Sequence, residues 1–167
     1  IEEVIDEVGA MYKEAGATLE IVHTGGDEVP GGVWVGSPKC QKLMEERGLE
    51  DAHGVSNYFL KRYHDILTAR NLRLAGWEEI AEAKVKKEYV IKDTVEINGE
   101  MVIRDSIAVK DTLIPNPEFL DANFLPTVWN NVWGWGKEDL AYKYANDGYE
   151  VVLCPATNLY FDLAYDK

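Results

Sequence analysis

The sequence predicts an α/β fold built from successive parallel β-α units, and three observations carry that prediction. Short apolar stretches at 18–23, 71–77, 126–133 and 149–155 alternate with segments of helical periodicity. The most distinctive side chains follow the C-terminal ends of these stretches: Asp27 and Glu28, then Trp77, then Trp129, then Tyr160 and Asp162. Finally, Gly25-Gly26 runs directly into two carboxylates, which would repel a phosphate and so speak against a doubly wound nucleotide-binding sheet. A (β/α)₈ barrel, whose functional residues gather at the C-terminal ends of several strands, accommodates all three.

Each element has a local reason. Ile1, Val4, Ile5 and Val8 have the spacing of an amphipathic helix already under way. A chain that opens inside a helix, with no cap and no Met, is expected to be a piece of a longer protein whose localisation signals lie elsewhere. Gly16-Ala17 breaks that helix, and 18–23 is a short strand leading into Gly25-Gly26. Pro30-Gly31-Gly32 and Gly36-Ser37-Pro38 mark a long loop; Ser37 and Pro38 then supply a cap and first-turn proline for a helix through about Arg47. From Ser56, the residues Tyr58, Phe59, Leu60, Tyr63, Ile66 and Leu67 form a helical apolar stripe. Residues 71–77 are the next strand.

The pattern then changes to alternation over 83–116, where Tyr89, Ile91 and Thr94 lead to Asn98-Gly99, a pair favoured in type I′ turns, and 101–109 returns. This reads as a hairpin inserted into a β-α rhythm that resumes at 126–133. A helix over 137–147 ends at Gly148, and 149–155 is the last clear strand. At 167 residues and 46% apolar content, the chain has material for a single domain, 1–167, that includes the hairpin.

Composition narrows the partners. Thirty Asp and Glu against seventeen Lys and Arg leave a net charge of −13, which argues against nucleic acid. No apolar run approaches the roughly 18–20 residues of a membrane span, so a membrane partner is not expected either. Five Trp and nine Tyr suit a sugar-binding protein, because pyranose C–H faces pack on aromatic rings. Cys40 and Cys154 lie far apart and follow no ligand spacing, and they read as ordinary thiols. No metal or cofactor is expected.

An Asp-Glu pair is ordinarily a solvated surface feature; its position after a strand and Gly-Gly gives this one a different meaning. His23-Thr24-Gly25-Gly26-Asp27-Glu28-Val29 is similar to the H-x-G-G-D-E-V signature of the family 20 β-N-acetylhexosaminidases. The resemblance continues in Gly76-Trp77-Glu78-Glu79, Val128-Trp129 and Leu159-Tyr160-Phe161-Asp162, and so covers essentially the whole chain. It implies removal of terminal β-linked N-acetylglucosamine or N-acetylgalactosamine from glycans, with retention and without an enzyme nucleophile. The substrate's own 2-acetamido oxygen attacks C1, a departure from the usual two-carboxylate scheme.

In the roles the resemblance implies, Glu28 is the general acid and then the base for water, and Asp27 hydrogen-bonds the acetamido N–H. Tyr160 donates to the acetamido oxygen, Trp77 and Trp129 wall the acetamido pocket, and Asp162 accepts from a sugar hydroxyl. His23 is expected to be a buried hydrogen-bonding residue that supports Asp27. Trp133 and Trp135 could extend the sugar platform toward a leaving group but read more readily as packing or loop residues, and Glu78 and Glu79 read as the solvated start of a helix.

The chain holds about strands four to seven of such a barrel, with the hairpin between strands five and six. Strands one to three and strand eight are not among these residues. Half a barrel leaves unpaired edge strands and an exposed sheet face, so the isolated chain is expected to self-associate and to have little or no hydrolase activity. The resemblance implies a periplasmic, secreted or lysosomal setting. The competing reading is a carbohydrate-binding module or pseudo-enzyme that holds sugar and breaks no bond.

Overall fold

The computed structural model describes residues 1–120 and 124–161 of the chain. Helix α1 (Glu2–Glu14) forms on the predicted spacing and buries Ile5. It is held by Arg70, which reaches Asp6 at 2.6 Å and Glu2 at 3.3 Å while also donating to the Ile66 carbonyl.

Strands β1 (Ile21–His23), β2 (Arg73–Trp77), β5 (Phe124–Val128) and β6 (Val152–Leu153) form one sheet in the order β1-β2-β5-β6, parallel throughout. Val22 pairs with Leu74, Leu74 with Phe124 and Thr127 with Val152. Strand order follows chain order with no reversal. The two central strands are covered on both faces: β5 is buried at every position and β2 at its three middle ones, as parallel sheets require. Among the described residues both edges are open, with Ile21, Val152 and Leu153 exposed.

Between β1 and β2 lie α2 (Gly31–Val35), α3 (Pro38–Arg47) and α4 (Ala52–Thr68). Two of these differ from expectation. A short helix, α2, forms inside the anticipated loop, and α4 begins before Ser56 because the Asp51 carboxylate accepts from Gly54 N at 2.9 Å and caps it. A helix start set by a cap is not visible in the apolar stripe.

After β2, a 3₁₀ turn over Glu78–Ala81 leads into the hairpin of β3 (Glu82–Ile97) and β4 (Glu100–Pro115). Ile97 pairs with Glu100 across Asn98-Gly99, both at positive φ (56° and 85°), as a type I′ turn requires. The returning strand is longer than 101–109 and runs to Pro115, where Asn116 N closes the base on Ala81 O at 2.7 Å.

The last two strands are shorter than expected. β5 ends at Val128, and β6 is confined to Val152–Leu153 because Tyr149 turns inward instead: its N–H donates to Tyr144 O and its hydroxyl to Asn116 O. Helix α5 (Leu140–Asn146) sits between them, and α6 (Ala156–Leu159) follows β6. The core lies between the sheet and these helices, around Leu60, Leu67, Leu74 and Ile80 and an aromatic run from Phe119 through Phe124 and Tyr149 to Tyr144. Among the described residues no helix is long and apolar enough to cross a membrane.

Candidate active site

The site begins in the turn after β1. Thr24 N donates to Ala75 O at 2.8 Å and Trp77 N to Gly25 O at 3.0 Å, so the turn stays stitched to β2 beyond the paired strands. Gly25 and Gly26 both take positive φ, and close contact constrains Gly26 and Gly76 of β2. A Cβ on Gly26, whose φ is +95°, would lie 2.1 Å from Ile80 Cγ2. One on Gly76 would lie 2.1 Å from Ile80 Cδ1 and 2.9 Å from Gly25 O. The turn therefore closes directly over the Ile80 side chain, and only glycine fits at both places.

Asp27 and Glu28 follow, both exposed. Glu28 has a φ of 49°, a left-handed conformation that costs a side-chain-bearing residue roughly 1–2 kcal/mol. Strain of this kind concentrates where a side chain must be aimed at a particular place.

Trp77 ends β2, Trp129 stands one residue past β5, and Tyr160 follows α6. The last two are tied together through the backbone, since Ala156 N donates to Trp129 O at 2.9 Å. The Asn131 side chain adds a clamp, donating to Thr157 Oγ1 at 2.7 Å and accepting from Thr157 N at 3.2 Å. The Trp129 and Tyr160 rings consequently lie nearly parallel, 7° apart in plane with centroids 6.0 Å apart.

Asp27, Glu28, Trp77, Trp129 and Tyr160 converge on one cavity of about 320 Å³, completed by Val132, Trp135 and Ala156. Its volume is at the small end of the roughly 300–1,000 Å³ that ligand sites span. His23 is placed next to the cavity wall, edge-on to Trp77 at 5.1 Å. It is not the buried support anticipated for Asp27. It is exposed on the edge strand, and its Nδ1 accepts from Gly25 N at 3.2 Å. Partial burial lowers its pKa from the ordinary imidazole value, and the Asp27 charge acts in the opposite sense. Asp162 lies outside the described residues.

Larger hollows exist, one of about 540 Å³ between α1 and α4 and one of about 800 Å³ beside the hairpin base. The first sets Glu2 and Glu3 beside aromatic rings, but neither contains a residue of the strand-end motifs. Among the described residues no group of three His, Cys, Asp or Glu side chains is placed to hold a metal ion, and Cys40 and Cys154 are free.

The catalytic-domain model of glycosyl hydrolase family 20 matches residues 1–167. The chain belongs to glycosyl hydrolase family 20. Over 172 residues this family 20 chain is 31% identical to a beta-hexosaminidase of Vibrio vulnificus, a match that takes in 100% of the chain and 16% of that relative. It is 29% identical to a beta-hexosaminidase of Vibrio furnissii, over 98% of the chain and 19% of the relative. A family 20 exo-β-N-acetylglucosaminidase of Vibrio harveyi, solved in complex with N-acetylglucosamine, superposes with a TM-score of 0.56 at 26% identity, over 93% of this chain and 17% of that one. The chain thus spans less than a fifth of the length of these relatives.

Two features of the family 20 chain depart from the sequence reading. Trp135, read as a packing or loop residue ahead of a sugar-platform one, lines the cavity although it is 59% exposed, whereas Trp133 is 89% exposed and does not. The repeated Trp-Gly pairs signalled an aromatic loop but not which ring faces the site. Glu78 is not a solvated helix start: it is 0% exposed. Its carboxylate accepts from Trp129 N at 3.0 Å and Asn130 N at 3.2 Å, and its backbone carbonyl accepts from the Tyr144 hydroxyl at 2.8 Å. Burial pushes its pKa up to about 7, with the Trp129 N–H bond opposing the rise. Glu79 is half-buried beside it, and burial raises its pKa as well.

Proposed function

We propose that this chain supplies the proton donor and the acetamido-binding walls of a β-N-acetylhexosaminidase that removes terminal β-linked N-acetylglucosamine or N-acetylgalactosamine with retention. The observation that carries the reading is the convergence of Asp27, Glu28, Trp77, Trp129 and Tyr160 on one cavity. The names of the relatives support it, as does the N-acetylglucosamine held by the Vibrio harveyi enzyme.

The reaction is the one that the family 20 resemblance implies. The substrate's acetamido oxygen attacks C1 as Glu28 gives its proton to the departing glycosidic oxygen, which leaves a bicyclic oxazolinium and a free aglycone alcohol. Asp27 accepts from the acetamido N–H and stabilises the positive charge that spreads onto that group. Tyr160 donates to the acetamido oxygen and, with the Trp77 and Trp129 faces, holds it beneath C1, which makes the attack an oriented intramolecular step. Glu28 then takes a proton from water as the water opens the ring. Two displacements at C1 restore the β configuration. Asp162 completes the set by accepting from a sugar hydroxyl.

One comparison tests the reading. The full-length protein that carries this chain should cleave an aryl N-acetyl-β-glucosaminide and release the β anomer first. The matched aryl β-glucoside, which has a hydroxyl where the internal nucleophile should be, should react at least about a hundredfold more slowly, since well-oriented intramolecular attack is worth that much and more. Equal turnover of the two substrates would sink the proposal.

The sheet itself is read as an arc of a (β/α)₈ barrel, about strands four to seven, with 83–116 inserted between strands five and six. Its sequential parallel order and its open β1 and β6 edges support this. Alone, such an arc exposes unpaired ladder groups and should associate with a second copy. Light scattering on the isolated chain should give at least twice its 18.8 kDa mass, with little hydrolysis. A monomer with full turnover would overturn the arc.

A further inference from the structure

We propose that Glu78 is a positioning residue of the sugar site, whose buried carboxylate sets the place of Trp129 in the acetamido wall. The inference rests on the hexosaminidase reading and extends it to a residue that does not line the cavity.

Trp77 and Thr127 are the last partners in the β2–β5 ladder. Beyond them the N–H donors of Trp129 and Asn130 are both taken by one side chain: Glu78 Oε2 lies 3.0 Å from Trp129 N and Oε1 lies 3.2 Å from Asn130 N. A carboxylate thus substitutes for the missing strand, and it allows β5 to leave the sheet without burying unpaired N–H groups. Charge-assisted bonds to both oxygens are stronger and more directional than neutral ones. Two consecutive N–H groups fixed in this way fix the direction in which the Trp129 side chain departs.

Trp129 is held from its other side as well. Its carbonyl accepts from Ala156 N at 2.9 Å, and its ring lies parallel to Tyr160. Its indole N–H is buried and faces the Glu79 carboxyl. Glu78 is itself anchored, since the Tyr144 hydroxyl donates to its backbone carbonyl at 2.8 Å and Tyr144 is 0% exposed. Because Glu78 directly follows Trp77, one dipeptide places both tryptophan walls: Trp77 by covalent continuation of β2 and Trp129 by the carboxylate. A buried carboxyl at this cost of desolvation would not be needed for packing alone, since an apolar side chain of the same volume serves a core better.

The test is a double-mutant cycle in the full-length protein. Glu78→Gln keeps the volume but replaces one acceptor by an N–H₂ group facing an N–H donor. It should lower kcat/KM for an aryl N-acetyl-β-glucosaminide about tenfold to a hundredfold, the loss that a misplacement on the order of 1 Å brings. Trp129→Ala should cost at least as much. The double variant should be no worse than Trp129→Ala alone, because the carboxylate acts through that ring. Glu78→Asp, which keeps the charge and retracts it by one methylene, should lose less than Glu78→Gln and serves as the second variant if the first does not fold.

Additive losses in the cycle would overturn the inference, as would an unchanged kcat/KM for Glu78→Gln. Insolubility of both Glu78 variants would assign the residue to folding and overturn it too. Equal turnover of the aryl N-acetyl-β-glucosaminide and the matched β-glucoside by the unmutated full-length protein would instead remove the hexosaminidase reading on which the inference stands, so the two failures are distinguishable.

Discussion

Replacing Glu28 by Gln in the full-length protein is expected to lower kcat by about 10²–10⁴-fold, the usual contribution of a positioned general acid, while N-acetylglucosamine still binds. The amide is isosteric with the acid, so the left-handed backbone at φ 49° and the glycine turn before it are undisturbed. What it lacks is a proton to give to the glycosidic oxygen. The loss should therefore depend on the leaving group. A nitrophenolate needs little protonation and should suffer least, and a sugar alkoxide most. Binding with no turnover would also separate a hydrolase from a protein that only holds sugar. Wild-type turnover of a natural disaccharide by the variant would remove Glu28 from the reaction.

Asp27→Asn should lower kcat/KM by about 10²–10³-fold, the range found when one group opposing developing charge is removed from a site. Here the physics differs from that of its neighbour. In the proposed reaction Asp27 acts on the acetamido group as it becomes an oxazolinium, not on the departing oxygen. Its loss should be nearly the same for good and poor leaving groups, measured across a series of aryl N-acetyl-β-glucosaminides. A slope against leaving-group acidity like that of Glu28→Gln would show that the two carboxylates have not divided the work, and the assignment of roles would fall.

Much of the site is legible in sequence because its central device is local. His23-Thr24-Gly25-Gly26-Asp27-Glu28 specifies a strand, a turn open only to glycine and a carboxylate pair within six consecutive positions. The hairpin was legible for the same reason, since Asn98-Gly99 and alternation over its flanks act between near neighbours. Helix α4 was only partly so, because its first turn is set by the Asp51 cap and not by the apolar stripe.

What the sequence by itself determined is the family motif, the alternation of strands and helices, and the aromatic residues that follow the strands. The tertiary structure decided which of those residues share a cavity and where β5 ends. Trp135 lines the wall and Trp133 does not, a difference that depends on how their shared loop folds. Glu78 and Glu79 look like any acidic pair after a strand, and sequence offers no means of telling a solvated carboxylate from a buried one. The N–H groups that Glu78 satisfies lie 51 and 52 residues away. A hydrogen bond between positions that far apart exists only once the sheet has brought them together, and so its physical cause lies in the fold and not in any local pattern.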